Sequence, residues 1–122
     1  MKNYLMLFLL FFGIQLTAQQ SITESQKIDH LVSFVRNLRG AIFIRNGSEH
    51  PPTDAANHLQ MKREKAGARI KTAKDFVEKI GTKSSISGDL YIIRFANGKE
   101  FPCQMVLFNE LKKLEGGSAA KK

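Results

Sequence analysis

Only one cysteine, Cys103, occurs in the 122 residues, so no intramolecular disulfide can staple the chain. A domain of this size buries only about two-thirds of the surface that its unfolded chain exposes. Small exported domains often offset that shortfall with disulfides; here apolar packing must suffice. The histidines His30, His50 and His58 include no pair at the i, i+4 spacing of a zinc-binding helix. No metal or cofactor is therefore expected. There is no nucleophile elbow. Gly81-Thr82-Lys83-Ser84 has the end of a phosphate loop but lacks its earlier glycine and follows a helical pattern instead of a strand, which excludes nucleotide binding of that kind. The longest apolar block is shorter than the about 20 residues that a bilayer-spanning helix needs.

That block, Tyr4 to Leu16, follows Lys2 and precedes Thr17-Ala18-Gln19. A cation, a greasy stretch and then a small residue form the pattern of a secretory signal. Residues 1–18 are expected to be a signal peptide cut after Ala18, with no cysteine near the cut to carry a lipid, and the protein is expected to be exported to the periplasm. The whole chain has 19 basic and 11 acidic residues, a net charge of +8; losing Lys2 leaves +7. A sequence pI near 9.8 suits nucleic acid, but the export signal and the lack of aromatic–basic interleaving disfavour that partner. Phe34, Phe43, Phe76, Phe95, Phe101 and Phe108 recur among Leu, Ile and Val and supply a core for one domain over residues 19–115. The small and charged residues 116–122 read as a disordered tail.

Within the domain, Thr23-x-x-Gln26 and Ser21-x-x-Glu24 have capping-box spacing, and Ile28, Leu31, Val32, Val35 and Leu38 share one helical face. Gly40 stops that helix. Ala41 to Ile44 reads as a buried strand, with Asn46-Gly47 as a turn. Pro51 and Pro52 forbid regular structure behind it, and Thr53 is placed to cap a helix from Asp54 to about Ile70. Thr72 opens a third helix that ends at Gly81. Leu90 to Phe95 is a strand that returns through Asn97-Gly98 to Phe101, and Pro102 opens a last helix with Leu107, Leu111 and Leu114 in register. The expected fold is α+β: about four helices on one face of a small, mainly antiparallel three-stranded sheet.

Four blocks stand out in order: Phe43-Ile44-Arg45-Asn46-Gly47-Ser48-Glu49-His50; Ala55-Ala56-Asn57-His58-Leu59; Arg69-Ile70-Lys71-Thr72-Ala73-Lys74-Asp75-Phe76; and Ser84-Ser85-Ile86-Ser87-Gly88 with Tyr91. They resemble the YfeK-like family of small exported bacterial proteins of unknown function, over nearly all of the chain after the signal. The resemblance implies export and a shared fold, not a reaction. The chain departs from the family's pattern at Leu90, where the family tends to have proline before the tyrosine.

Arg45, Asn46, Glu49 and His50 place four hydrogen-bonding groups at the end of a strand, where loops commonly carry function. In one reading Arg45 clamps a carboxylate or phosphate and Glu49 orients His50. In the other, which turn chemistry favours, Arg45 and Glu49 form an ion pair across the turn. His58, Lys62, Lys65 and Arg69 form a stripe on one helix; Lys62 and Lys65 read as a solvated face, whereas His58 and Arg69 belong to the blocks of the resemblance. Ser84, Ser85 and Ser87 either present hydroxyls and amides to an anion or satisfy their own backbone. The expectation drawn from geometry is one local polar site of Arg45, Glu49, His50 and His58, and a separate one where Arg69 works with the Ser84–Gly88 loop; Tyr91 is a further candidate. The function that follows is a small binding module for an anionic glycan, a lipid headgroup or an acidic protein. A small envelope hydrolase built on the Arg45 to His50 cluster is the alternative, but no local signature supports catalysis.

Overall fold

A computed structural model describes residues 21–119, so the expected signal peptide lies outside the described residues, as do residues 120–122. Helix α1 spans Glu24–Arg36. Its N-cap is Thr23, whose hydroxyl accepts from the Gln26 amide while the Gln26 side chain accepts from the Thr23 amide, the reciprocal pairing that the spacing predicts. Strands β1 (Ile42–Arg45) and β2 (Ser48–His50) follow. Between them Asn46 and Gly47 both have positive φ, 54° and 78°, as a two-residue hairpin turn of the tightest type requires.

The second helix, α2, spans Pro52–Ala66. The expected Thr53 cap is not made. Pro51, extended, occupies the N-cap without a side-chain bond, and Pro52 fills the first helical position, where its fixed φ suits the helix and its missing N–H costs nothing. Nor does the helix run on to Ile70: Gly67, at φ 53°, breaks it, and a single 3₁₀ turn covers Gly67–Arg69. Helix α3 begins at Ala73–Asp75 behind a Thr72–Asp75 capping box and continues as a wider π turn over Phe76–Ile80. Strands β3 (Ile92–Arg94) and β4 (Glu100–Pro102) lead directly into α4 (Cys103–Ala119). That helix continues through 116–119, which the composition suggests is tail.

The sheet therefore has four strands, in the order β2-β1-β3-β4, all antiparallel. The strand absent from the sequence reading is β2, three polar residues closed off by Pro51. Alternation of side chains across the sheet sends Phe43, Tyr91 and Ile93 into the core with Leu31, Val35, Phe76, Val77 and Leu107. The opposite face carries Arg94, which donates to both Glu49 and Glu100 at 3.0 Å. Helices α1 and α2 are joined at their rims by Arg63, which donates to Asp29 and Ser25, and by Arg36, which donates to Asn57.

Gly81 closes α3 against the core. Its φ is ordinary, but a Cβ there would stand 2.7 Å from Leu107 Cδ1, a side chain with no exposed surface. Gly81→Ala is expected to lower unfolding free energy by about 1–3 kcal/mol through overpacking. Urea melts check this, and the loss should shrink when Leu107 is shortened in the same chain.

Candidate functional site

The face of the sheet turned toward α2 carries a cluster of cations. Strand alternation puts Phe43 and Arg45 of β1 on that face, and the register that pairs Phe43 with His50 puts His50 there too. Glu49, one residue earlier, must then point to the other side, and it does, toward Arg94. The expected Arg45–Glu49 pair and the expected Glu49–His50 pair are both absent for this single reason of phase. Arg45 Nη2 instead lies 3.5 Å from His50 Nε2.

Helix α2 supplies the facing wall. His58 and Lys62, one turn apart, both reach the Tyr91 hydroxyl at the start of β3: Lys62 Nζ donates to it at 2.9 Å, and His58 Nε2 lies 3.3 Å away. With its oxygen accepting from the ammonium, the phenol can turn its own proton toward a neutral His58 Nε2. The Lys62 ammonium uses its other donors on the carbonyls of Ile80 and Lys83, both at 3.2 Å, and lies 4.9 Å from the Tyr91 ring centroid. Lys62 is thus half-buried and fully bonded, not the solvated lysine that its helical stripe suggests.

Arg45, His50, His58 and Tyr91 surround a pocket whose floor includes Ala55, Leu59 and Cys103. Its volume of about 20 Å³ admits one water and no more. Cys103 is buried, and burial pushes its thiol up to about 12, so the thiolate that nucleophilic work needs does not form near neutral pH. Among the described residues no carboxylate lies within 4.0 Å of Arg45, Lys62, Lys65 or Arg69. The cations therefore act on one another. Burial, and after it the charges of Arg45, Lys62, His50 and Lys65, hold His58 down at about 4; burial and Arg45 hold Lys62 below the usual lysine range. Burial raises the Tyr91 phenol against the opposing pull of Arg45.

Arg69 lies elsewhere, as its distance along the helix requires. With Lys62, Lys65, Lys79 and Ser85 it lines a second, open groove of about 590 Å³. Within the Ser84–Gly88 loop the hydroxyls are largely spent on the loop itself. Buried Ser84 Oγ accepts from the amides of Ile86 and Ser87, Ser87 Oγ accepts from the Asp89 amide, and it donates to the Asn46 side chain in the β1–β2 turn. Of the three serines only Ser85 faces the groove. Asn46, placed among the ligand candidates by sequence, serves to tie this loop to the hairpin. The two sites meet at Lys62, which lines the groove and bonds the tyrosine of the pocket. Its place four residues after His58 was the available signal, but its acceptors lie 18 to 29 residues away.

His58 gives the site a measurable signature. Its folded pKa of about 4 lies below the ordinary histidine value of 6.5, so between those pH values the unfolded chain binds more protons, and stability falls as pH drops from about 6.5 toward 4. Thermal melts across that window should show the fall, and His58→Gln, which keeps a bond to Tyr91, should flatten it.

Comparisons place the chain among known sequences. No solved structure matches it. The protein described as Uncharacterized protein YfeK from Salmonella typhimurium is 32% identical over 68 residues, which cover 56% of this chain and 57% of that protein; the match spans little more than half the length of the relative. The model of the family described as Family of unknown function (DUF5329) matches residues 22–115, a stretch that takes in both sites and every element from α1 into α4, and the chain belongs to that family.

Proposed function

We propose that the protein is a small exported module of the cell envelope that binds an anionic group at Arg45. One observation carries this reading: a guanidinium half-exposed at the mouth of a pocket, beside His50, His58 and Lys62, with no carboxylate of the described residues within 4.0 Å. Guanidinium is built for bidentate pairing with carboxylate or phosphate. A chain rich in lysine and arginine normally pairs buried or half-buried cations with acids, as Lys27, Arg63 and Arg94 are paired here. The pocket is too small to enclose a molecule, so a carboxylate, phosphate or sulfate of a larger ligand sits at its mouth with one oxygen toward Arg45. The hydrolase alternative has less support. Glu49 does not orient His50, Ser84 is buried and bonded within its loop, and Ser85 faces the other groove. Export rests on the Lys2 and Tyr4–Leu16 pattern.

Titration with inorganic pyrophosphate, followed by amide NMR shifts, tests the site. Shifts should centre on Arg45, His50 and His58, and Arg45→Ala should weaken them at least about tenfold, the cost of losing a charged hydrogen bond. Its melting temperature should stay level or rise, since the variant also removes a charge that depresses His58. Binding should tighten as pH falls toward 4, because a bound anion favours the protonated form of the depressed His58 imidazole. Shifts that spread evenly over surface lysines, or that survive Arg45→Ala, exclude the pocket. For export, the intact mass of protein from an envelope fraction should correspond to a chain beginning near Gln19; a species that keeps Met1 to Ala18 overturns that part.

A further inference from the structure

The most exposed large apolar side chain among the described residues is Ile86, 91% accessible. It stands at the tip of a loop that is otherwise tightly specified. The Ser84 amide donates to the Asp89 carbonyl, the Gly88 amide to the Ser84 carbonyl, Ser84 Oγ takes two amides, and Ser87 bonds to Asn46. None of these bonds involves the Ile86 side chain. The loop is therefore held in shape with an isoleucine raised into solvent, and Leu90, 51% accessible, stands at its far end.

Immediately before this tip Ser85 opens onto the cationic groove. Lys62, Lys65, Arg69 and Lys79 stand around it, and Ala66, Ile70 and Ile80 give it apolar walls. Among the described residues the Arg69 guanidinium is held only by its Nε, which donates to the Ala66 carbonyl at 3.3 Å, and its outer nitrogens make no bond there. Among the described residues the one carboxylate within 4.0 Å of the groove's cations is Asp75, at 4.0 Å from Lys79. Cations around a groove whose lining includes Ser85, with an exposed isoleucine at the next position in the chain, match the layered chemistry of a lipid surface: phosphates outermost, hydrocarbon behind.

We propose that this face docks on an anionic bilayer, with Lys65, Arg69 and Lys79 engaging lipid phosphates while Ile86 enters the hydrocarbon boundary. A soluble polyanion matches the cations but gives no role to Ile86. An acidic protein surface offers charge without the apolar layer. The Arg45 pocket contributes no residue to this contact except through Lys62, so the docking stands apart from the anion site proposed above.

The chain contains no tryptophan, so Ile86→Trp provides a single reporter at an exposed position where folding is not at stake. The full chain carrying it is mixed with vesicles of phosphatidylcholine alone and of phosphatidylcholine with phosphatidylglycerol. The expected result is a blue shift of tryptophan emission with the anionic vesicles only, abolished by molar salt. On wild type, Ile86→Ser should weaken sedimentation with anionic vesicles about tenfold, and Lys65→Gln and Arg69→Gln about fivefold each. Arg45→Ala should leave it unchanged, which separates failure of this proposal from failure of the pocket. Emission that stays red while vesicles bind would show docking through another surface and overturn the proposal. So would equal binding to neutral vesicles, or a heparin oligosaccharide binding through Lys65 and Arg69 with no binding to anionic vesicles.

Discussion

The Lys62 ammonium joins elements that otherwise have little reason to meet. From α2 it reaches the last carbonyl of α3, a carbonyl in the following loop and the phenol at the start of β3. A helix end leaves carbonyls without partners, and a cation there also meets the negative end of the peptide dipoles. Each donor of the ammonium is used on a neutral oxygen, so the charge is solvated by protein without being neutralised. That condition keeps the surrounding field positive. It also orients Tyr91, and through Tyr91 the ring of His58. A carboxylate in place of those oxygens would have erased the field on which both candidate sites rest.

The distribution of acids makes the same point at larger scale. Glu24 and Glu115 hold Lys27, Asp29 holds Arg63, Glu49 and Glu100 hold Arg94, and Glu110 meets His30. The acids of these pairs lie on α1, on α4 and on the open face of the sheet. Net charge counted on the sequence says that cations are in excess; only the fold says that the excess collects along α2 and the loop beyond it. Surface pairs contribute little stability one by one, so their larger effect here is to remove acids from the vicinity of Arg45 and Arg69.

What was legible in the sequence was local. The boxes at Thr23–Gln26 and Thr72–Asp75 act over three residues, and the structure contains both. The α+β class followed from periodicity. Reading failed where the answer depended on phase or distance. Asn46-Gly47 is visible as a turn, yet the strand after it, Ser48-Glu49-His50, has no apolar residue to announce it, and without that strand nothing shows that Glu49 points away from Arg45 and His50. Thr53 is a good capping residue two positions too late, because Pro51 holds the cap and Pro52 the first turn. Arg45, His50, His58 and Tyr91, which the motif blocks single out, do converge on one pocket, but Lys62 reads as any other surface lysine until its distant acceptors are seen.

The order of the sheet also fixes the order in which it can be assembled. Each outer pair is a hairpin closed within a few residues, a microsecond event. The central pair, β1 with β3, joins Ile42 to Arg94, 52 positions apart, and must bear the entropy of closing that loop. Cys103 enters the core only with β3, since its amide donates to the Tyr91 carbonyl at 2.8 Å. The long-range pairing is thus also what completes the core around the lone thiol, and until the two hairpins meet, that sulfur is open to a partner from another chain.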